Sequence, residues 1–161
     1  MTIWTTFAAV RAELVDLLNA QPALAGTVLD GVPSANADDV LGPRGDGLSV
    51  WLDNATAEVS IDPRALGAMK IGETWTQPII VQCVARYSDT GPRAAESQLA
   101  DKVSAVMDVV YDNGEVLTLT GVSGWTTRVR PVGMSVQSGP MEHGGYSALA
   151  SIDLQVEATR C

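Results

Sequence analysis

The spacing of apolar residues predicts two amphipathic helices. Apolar positions recur every three or four residues over 5–20 and again over 91–112, the periodicity of a helix with one buried face. Thr5 or Thr6 is expected to cap the first helix, and Asn113–Gly114 supplies the left-handed turn that ends the second. The stripes comprise Phe7, Val10, Leu14, Leu17 and Leu18 in the first helix, and Ala95, Leu99, Val103, Val106, Met107 and Val110 in the second.

Alternation of apolar and polar residues predicts two long strands, at 75–87 and 146–158. Pro78 places the early part of the first strand at a sheet edge or a bulge, because proline cannot donate to a ladder. The expected core face carries Ile79, Val81, Cys83, Ile152, Leu154 and Val156. Shorter apolar runs predict a strand within 26–33, a strand pair or one bent strand within 48–62, and strands at 116–121 and 125–138, whereas 63–73 is expected to be an irregular connection.

The order of these elements predicts an α+β fold. At 161 residues the chain is expected to form a single domain, 1–161, with a mixed, mostly antiparallel sheet of about 4–6 strands and two helices packed on one face. Hydrophobic residues make up 46% of the chain but aromatic residues only 5%, so aliphatic side chains must form most of the core.

Two segments between the elements are candidates for function. Residues 33–47 form a long loop rich in glycine and proline, a kind of segment that is often functional, and we expect it to contact a partner. The stretch 86–97 joins a strand to a helix, as a phosphate-binding turn does. It has one glycine, and Pro92 removes an N–H from the first helical turn, so a simple helix start is favoured.

The charge distribution argues against nucleic-acid binding. Ten Lys and Arg stand against 19 Asp and Glu, giving a formal net charge of −9 that is spread along the chain. Gripping a phosphate backbone needs the opposite sign. No signal peptide or membrane span is expected. Cys83 is expected to be a small buried apolar residue and Cys161 to lie in a tail, so a reducing compartment is indicated.

The residue types that carry chemistry are sparse. His143 is the single histidine, and two distant cysteines give no zinc-ligand spacing. Asp38, Asp39 and Asp46 do not match the ligand spacing of a calcium loop. We therefore expect no enzymatic activity, no catalytic residue, no cofactor and no metal site.

The organisation of the chain resembles the tail terminator, or tail completion, proteins of long-tailed bacteriophages. The resemblance lies in the helix and strand of "VRAELVDLLNAQPALAGTVLDGVP", the strand that ends in Arg86 and Tyr87, and the helix "AAESQLADKVSAVMDVV". It implies a small sheet with helices on one side. It also implies a virion protein at the head–tail neck, assembled in the cytoplasm of the bacterial host, which caps the tail tube as a hexameric ring, ends tube polymerisation and receives the head-side connector.

That resemblance implies partners but carries no catalytic residues. The partners are further copies of the chain, the tail tube protein and the head-side connector or stopper protein, while DNA passes without specific binding and no membrane is involved. The alternatives are another phage neck or head–tail connector protein and a small ligand-binding or ferredoxin-like enzyme subunit. Basic residues are expected to meet acidic loop residues of the next copy, and the candidate contact residues are Asp38, Asp39, Arg44, Asp46, Arg86, Arg93, Arg128 and Arg130.

Overall fold

The computed structural model describes residues 3–24, 28–31, 50–53, 60–66, 70–87, 92–113, 124–140 and 145–160. The elements in these ranges are α1 (Ile3–Asn19), β1 (Val28–Asp30), β2 (Val50–Asp53), β3 (Ser60–Leu66), β4 (Lys70–Tyr87), α2 (Pro92–Asn113), β5 (Thr126–Pro140) and β6 (Tyr146–Arg160). The loop predicted at 33–47, the strand predicted at 116–121, His143 and Cys161 lie outside the described residues.

The sheet is built around two long neighbouring strands. β4 pairs with β6 in an antiparallel register that runs from Glu73↔Arg160 to Tyr87↔Tyr146. The strand order is β1-β2-β4-β6-β5, and β3 pairs with β4 beside β2. The pair β1–β2 is parallel and the others are antiparallel. The predicted α+β class, with a mixed and mostly antiparallel sheet, is confirmed.

Both helices pack on one face of the sheet and bury its alternate side chains. All six residues predicted for the core face, from Ile79 on β4 to Val156 on β6, are buried. Phe7, the single phenylalanine, is buried in α1 together with Val10, Leu14 and Leu18. The period-two pattern of the strands and the helical stripes therefore meet in one core, as the sequence predicts.

The expected irregular connection at 63–73 is wrong. β3 covers Ser60–Leu66 and β4 begins at Lys70, and the two strands pair from Ser60↔Thr76 to Leu66↔Lys70. Pairing with the next strand, β4, rather than local propensity, decides strand formation here. β3 includes a proline, which a strand tolerates where the missing N–H is not needed by a neighbour.

Pro78 occupies a gap between two partners of β4. The pairing with β3 stops at Thr76 and the pairing with β2 starts at Ile80. Proline cannot donate to a ladder, so this position costs the sheet no hydrogen bond on that side. The expectation that the early part of this strand lies at a sheet edge or a bulge is wrong, because residues 73–76 pair with β3 on one side and with β6 on the other.

The first cap differs from expectation, and Gly114 of the turn expected to end the second helix lies outside the described residues. α1 begins at Ile3, so Thr5 and Thr6 lie inside its first turns and neither is the cap. The start of α2 at Pro92 and its end at Asn113 agree with the predicted boundaries within one residue.

A lysine lies within the buried face of α2. Lys102 is 7% exposed, and its Nζ donates a hydrogen bond of 2.8 Å to the backbone carbonyl of Val84. Burial lowers the pKa of the Lys102 ammonium, partly offset by Cys83. Lys102 follows Leu99 by three positions and precedes Val106 by four, so its place on the apolar stripe is visible in the sequence.

Cys83 lies under the helices with no exposed surface. Burial, opposed in part by the charge of Lys102, raises the pKa of the Cys83 thiol from 9.0 to about 12. The thiolate is the nucleophilic form, so this cysteine stays protonated and inert at neutral pH. The expected role of Cys83 as a small buried apolar residue is confirmed.

We expect Leu99→Asp or Ile152→Asp to abolish folding. Each replaces a core side chain, 3% and 0% exposed respectively, with an unpaired carboxylate. Loss of the apolar group alone costs about 2–5 kcal/mol, and the buried charge adds to this. Ser104→Asp, at an exposed position of α2, is the matched control. Circular dichroism and thermal melting measure the outcome, and a Leu99→Asp protein that melts like the control would contradict this core.

We expect Cys83→Ala to reduce the loss of stability at alkaline pH. The folded pKa of Cys83 is raised, so its contribution is complete below pH 9.0 and is lost as pH rises towards 12. The slope is at most about 1.4 kcal/mol per pH unit. Lys102 acts in the opposite sense up to 10.5, but it is present in both proteins. Urea unfolding from pH 8 to pH 10.5 measures the difference, and equal slopes would contradict the assignment.

Candidate interaction surface

The arginines predicted as contact residues divide into two groups: Arg128 and Arg130 on β5, and Arg86 and Arg93 at the end of β4 and the start of α2. Arg128 and Arg130 are exposed on β5, and Arg93 is exposed in the first turn of α2. Arg86 lies near the end of β4, in register with Ser147. The remaining candidates, Asp38, Asp39, Arg44 and Asp46, lie outside the described residues.

These two groups do not form one patch. Arg86 is in register with Ser147, and Arg128 is in register with Glu157. These two β6 residues are ten positions apart, a separation of about 34 Å along a strand. The fold therefore places Arg86 near one end of the sheet and the pair Arg128 and Arg130 near the other.

A polar groove of about 400 Å³ surrounds Arg128 and Arg130. Its lining residues on β6 alternate with buried ones, so the groove lies on the sheet face away from the helices. The guanidinium of Arg130 donates to Glu157, and the hydroxyls of Thr74 and Thr159 are 3.2 Å apart. The groove is lined by Thr74, Thr126, Arg128, Arg130, Glu157 and Thr159.

The chemistry of this groove suits binding of a carboxylate. Glu157, its one carboxylate, is already bound to Arg130. Within the described part of the chain Arg128 has no such partner, so its guanidinium is free to bind an acidic side chain from another protein. An exposed pair of this kind is worth only about 0.2–1 kcal/mol. The groove alone would give a weak and salt-sensitive contact.

An apolar groove of about 220 Å³ lies on the opposite face, between α2 and β5. Met134 and Val136 of β5 are 57% and 55% exposed, although their partners on β6, Ile152 and Ala150, are buried. The second half of β5 thus extends beyond the cover that α2 gives to β6. The groove is lined by Glu96, Leu99, Ala100, Val103, Met134 and Val136.

A bulge in β5 sets which side chains reach this groove. The register with β6 shifts between Pro131 and Gly133, which leaves Val132 as the additional residue. Before the shift Val129 lies on the core side, and after it Met134 and Val136 do. An extra residue in one strand reverses the alternation that follows it. Without the bulge, Met134 and Val136 would lie on the other face of the sheet.

The apolar groove was not predicted from the sequence, although one feature of the sequence points to it. No charged residue occurs from Pro131 to Pro140, in a chain of which 18% is charged. Edge strands usually carry charges that prevent pairing with another chain. The bulge hid the pattern, because the apolar residues on its two sides do not share one alternation.

The described residues contain no group of three or more His, Cys, Asp or Glu side chains placed to hold a metal ion. Of the helices described, neither is long and apolar enough to cross a membrane.

Comparison with solved structures identifies a chain that shares this fold. No protein-family model and no curated protein matches the sequence. Among solved structures, the chain is similar to a chain from the virion of a native gene transfer agent (GTA) particle, with a TM-score of 0.51 and 14% sequence identity. The match covers 94% of this chain and 96% of that one. The two chains therefore share a fold over nearly their whole lengths.

Proposed function

We propose that this chain is a structural virion protein that caps the phage tail tube as a hexameric ring. The ring ends tail polymerisation and forms the interface at which head and tail join. The observation that carries this proposal is the shared fold with a chain of a phage-like virion, which extends over 94% of the residues. The sequence resemblance to tail terminator proteins points in the same direction and supplies the specific role.

The charge of the chain fits a ring through which DNA passes. Each copy carries a formal net charge of −9, so the walls of the ring would repel DNA rather than bind it. The same charge makes the copies repel one another. A ring therefore needs contacts that offset this repulsion, and binding to the tube end adds stability by mass action.

The partners follow from this role. One side of the ring would meet the tail tube protein and the other the head-side connector or stopper protein. The protein would be assembled in the cytoplasm of the bacterial host and remain in the virion at the head–tail neck. No catalytic residue or cofactor enters this function.

The structure favours some of the candidate contact residues over others. Arg128 and Arg93 are exposed, whereas Arg130 is already paired with Glu157 inside the chain. Arg128 and Arg93 are therefore the first candidates for contacts with the next copy. Their partners there would be Asp38 and the acidic residues that follow it. Arg93, in the first turn of α2, follows the Tyr87 end of β4, whereas Arg128 is in register with Glu157 towards the other end of the sheet, so one subunit would use them in different contacts.

We expect the purified protein to bind the ends of isolated tail tubes as rings. Negative-stain electron microscopy of tubes mixed with the protein should show a cap at one end, and chemical cross-linking should give a hexamer only when tubes are present. Tubes that stay bare, or that keep elongating in the presence of the protein, would contradict the proposal.

We expect deletion of residues 36–46 to leave the fold intact but to disrupt capping. This segment carries Asp38, Asp39, Arg44 and Asp46, the proposed loop contacts. Phage carrying the deletion should show overlong tails or unjoined heads and tails in electron micrographs. Circular dichroism of the purified variant is the control for folding. Normal tail length with normal infectivity would contradict the role of this loop.

A further inference from the structure

We infer that the β5 edge and the apolar groove beside it are the contact between neighbouring subunits, with a second copy of this chain as the occupant. This inference rests on the proposed ring and names the surface that holds it together. The neighbour lies head to tail, with the β1 end of its sheet against the β5 end of the first.

Three strands have a side without a partner among the described strands: β1 and β5 at the ends of the strand order, and β3, which pairs with β4 alone. β5 stands at one end of the order β1-β2-β4-β6-β5, and β1 stands at the other. A cyclic ring of identical copies needs two different surfaces on each copy, because every contact joins one surface to the other. The two ends of one sheet provide such surfaces, and a neighbour placed there continues the sheet from copy to copy.

The second half of β5 has the backbone geometry to accept a neighbour. Gly133–Pro140 pairs with β6 along one side, and no described strand pairs with its other side. Eight residues of strand extend about 27 Å. Main-chain hydrogen bonds along such an edge give affinity, and alternate side chains of the added segment fit adjacent pockets.

Charge is the argument for a second copy rather than another occupant. Two copies that each carry −9 approach with least repulsion through a surface that has no charge. Pro131–Pro140 is such a surface, and the groove beside it is lined by apolar side chains except for Glu96. Ser138 donates a hydrogen bond to that carboxylate, which holds Glu96 at the rim of the groove.

The exposed apolar side chains at the two ends fit this arrangement. Val132, Met134 and Val136 on β5 are 61%, 57% and 55% exposed, and Leu29 on β1 is 38% exposed. Large apolar side chains grouped at a sheet edge are typical of association sites. The contact between copies would bury Val132, Met134 and Val136 against the neighbour and remove them from water.

The test compares Val136→Lys with Gln137→Lys. Both variants add one positive charge to the exposed half of β5, but Val136 lines the apolar groove and Gln137 follows on the other face. Each variant makes the chain less negative and therefore lowers the repulsion between copies. A loss of assembly cannot then be caused by stronger charge repulsion. We expect Val136→Lys to weaken formation of the cross-linked hexamer on tail tubes at least about tenfold. We expect Gln137→Lys to stay within about threefold of wild type. Urea unfolding confirms that both variants are folded.

A mixing experiment separates a contact between copies from a contact with the tube. Tagged Val136→Lys is mixed with an equal amount of wild-type protein and cross-linked on tubes. A variant with a broken subunit joint should be excluded from closed hexamers. Closed hexamers that contain the tagged variant in proportion to its share would overturn the inference, because the edge would then serve another partner. If the wild-type protein itself forms no ring on tubes, the proposed function fails, and that result is distinct from a wild-type ring that Val136→Lys leaves unchanged.

Discussion

The pairing of β4 with β6 is the interaction on which the rest of the structure depends. It joins residues about 60 to 90 positions apart in the chain, from Glu73↔Arg160 to Tyr87↔Tyr146. Each strand presents one apolar face, and together they form the surface on which both helices pack. Burying a side chain such as Leu154 stabilises the fold by about 1.5–3 kcal/mol, and the effect is repeated at alternate positions along both strands. Every other strand attaches to this pair, directly or through β2.

The length of these strands also explains why the sheet, as far as its residues are described, ends in an open edge at β5. β5 pairs with β6 along the whole length of β6, but α2 covers only part of the sheet face that the two strands form. The bulge at Pro131–Gly133 then directs Met134 and Val136 towards the space beside α2. These apolar side chains stay in contact with water in the isolated chain. The isolated chain is therefore less stable than it would be if they were buried. Under the proposed subunit contact, that cost would be recovered when a neighbouring copy covers the edge.

The sequence predicts the parts of the fold that depend on local periodicity. Both helices, the strands β4 and β6 and their shared core follow from spacing alone, because a single buried face imposes a regular pattern. The strand β3 did not follow, because its pairing with β4 replaces a local pattern that includes Pro63. The candidate arginines were chosen by their charge. Charge contains no information about position, so it could not predict that Arg86 and Arg128 lie far apart on one sheet. The apolar edge was missed for a related reason: one extra residue at Val132 breaks the alternation that would have revealed it.

The most direct test of the account is amide hydrogen exchange across Gly133–Pro140, measured on the free protein and on the protein bound to tail tubes. In the free protein the amides of this segment that point away from β6 have no partner strand among the described residues, so they should exchange rapidly. We expect their exchange to slow by at least about tenfold when the ring forms, while amides at the centre of β4 stay protected in both states. Exchange at this edge that is equally fast in tube-bound rings would contradict the account, since no neighbour would then cover β5.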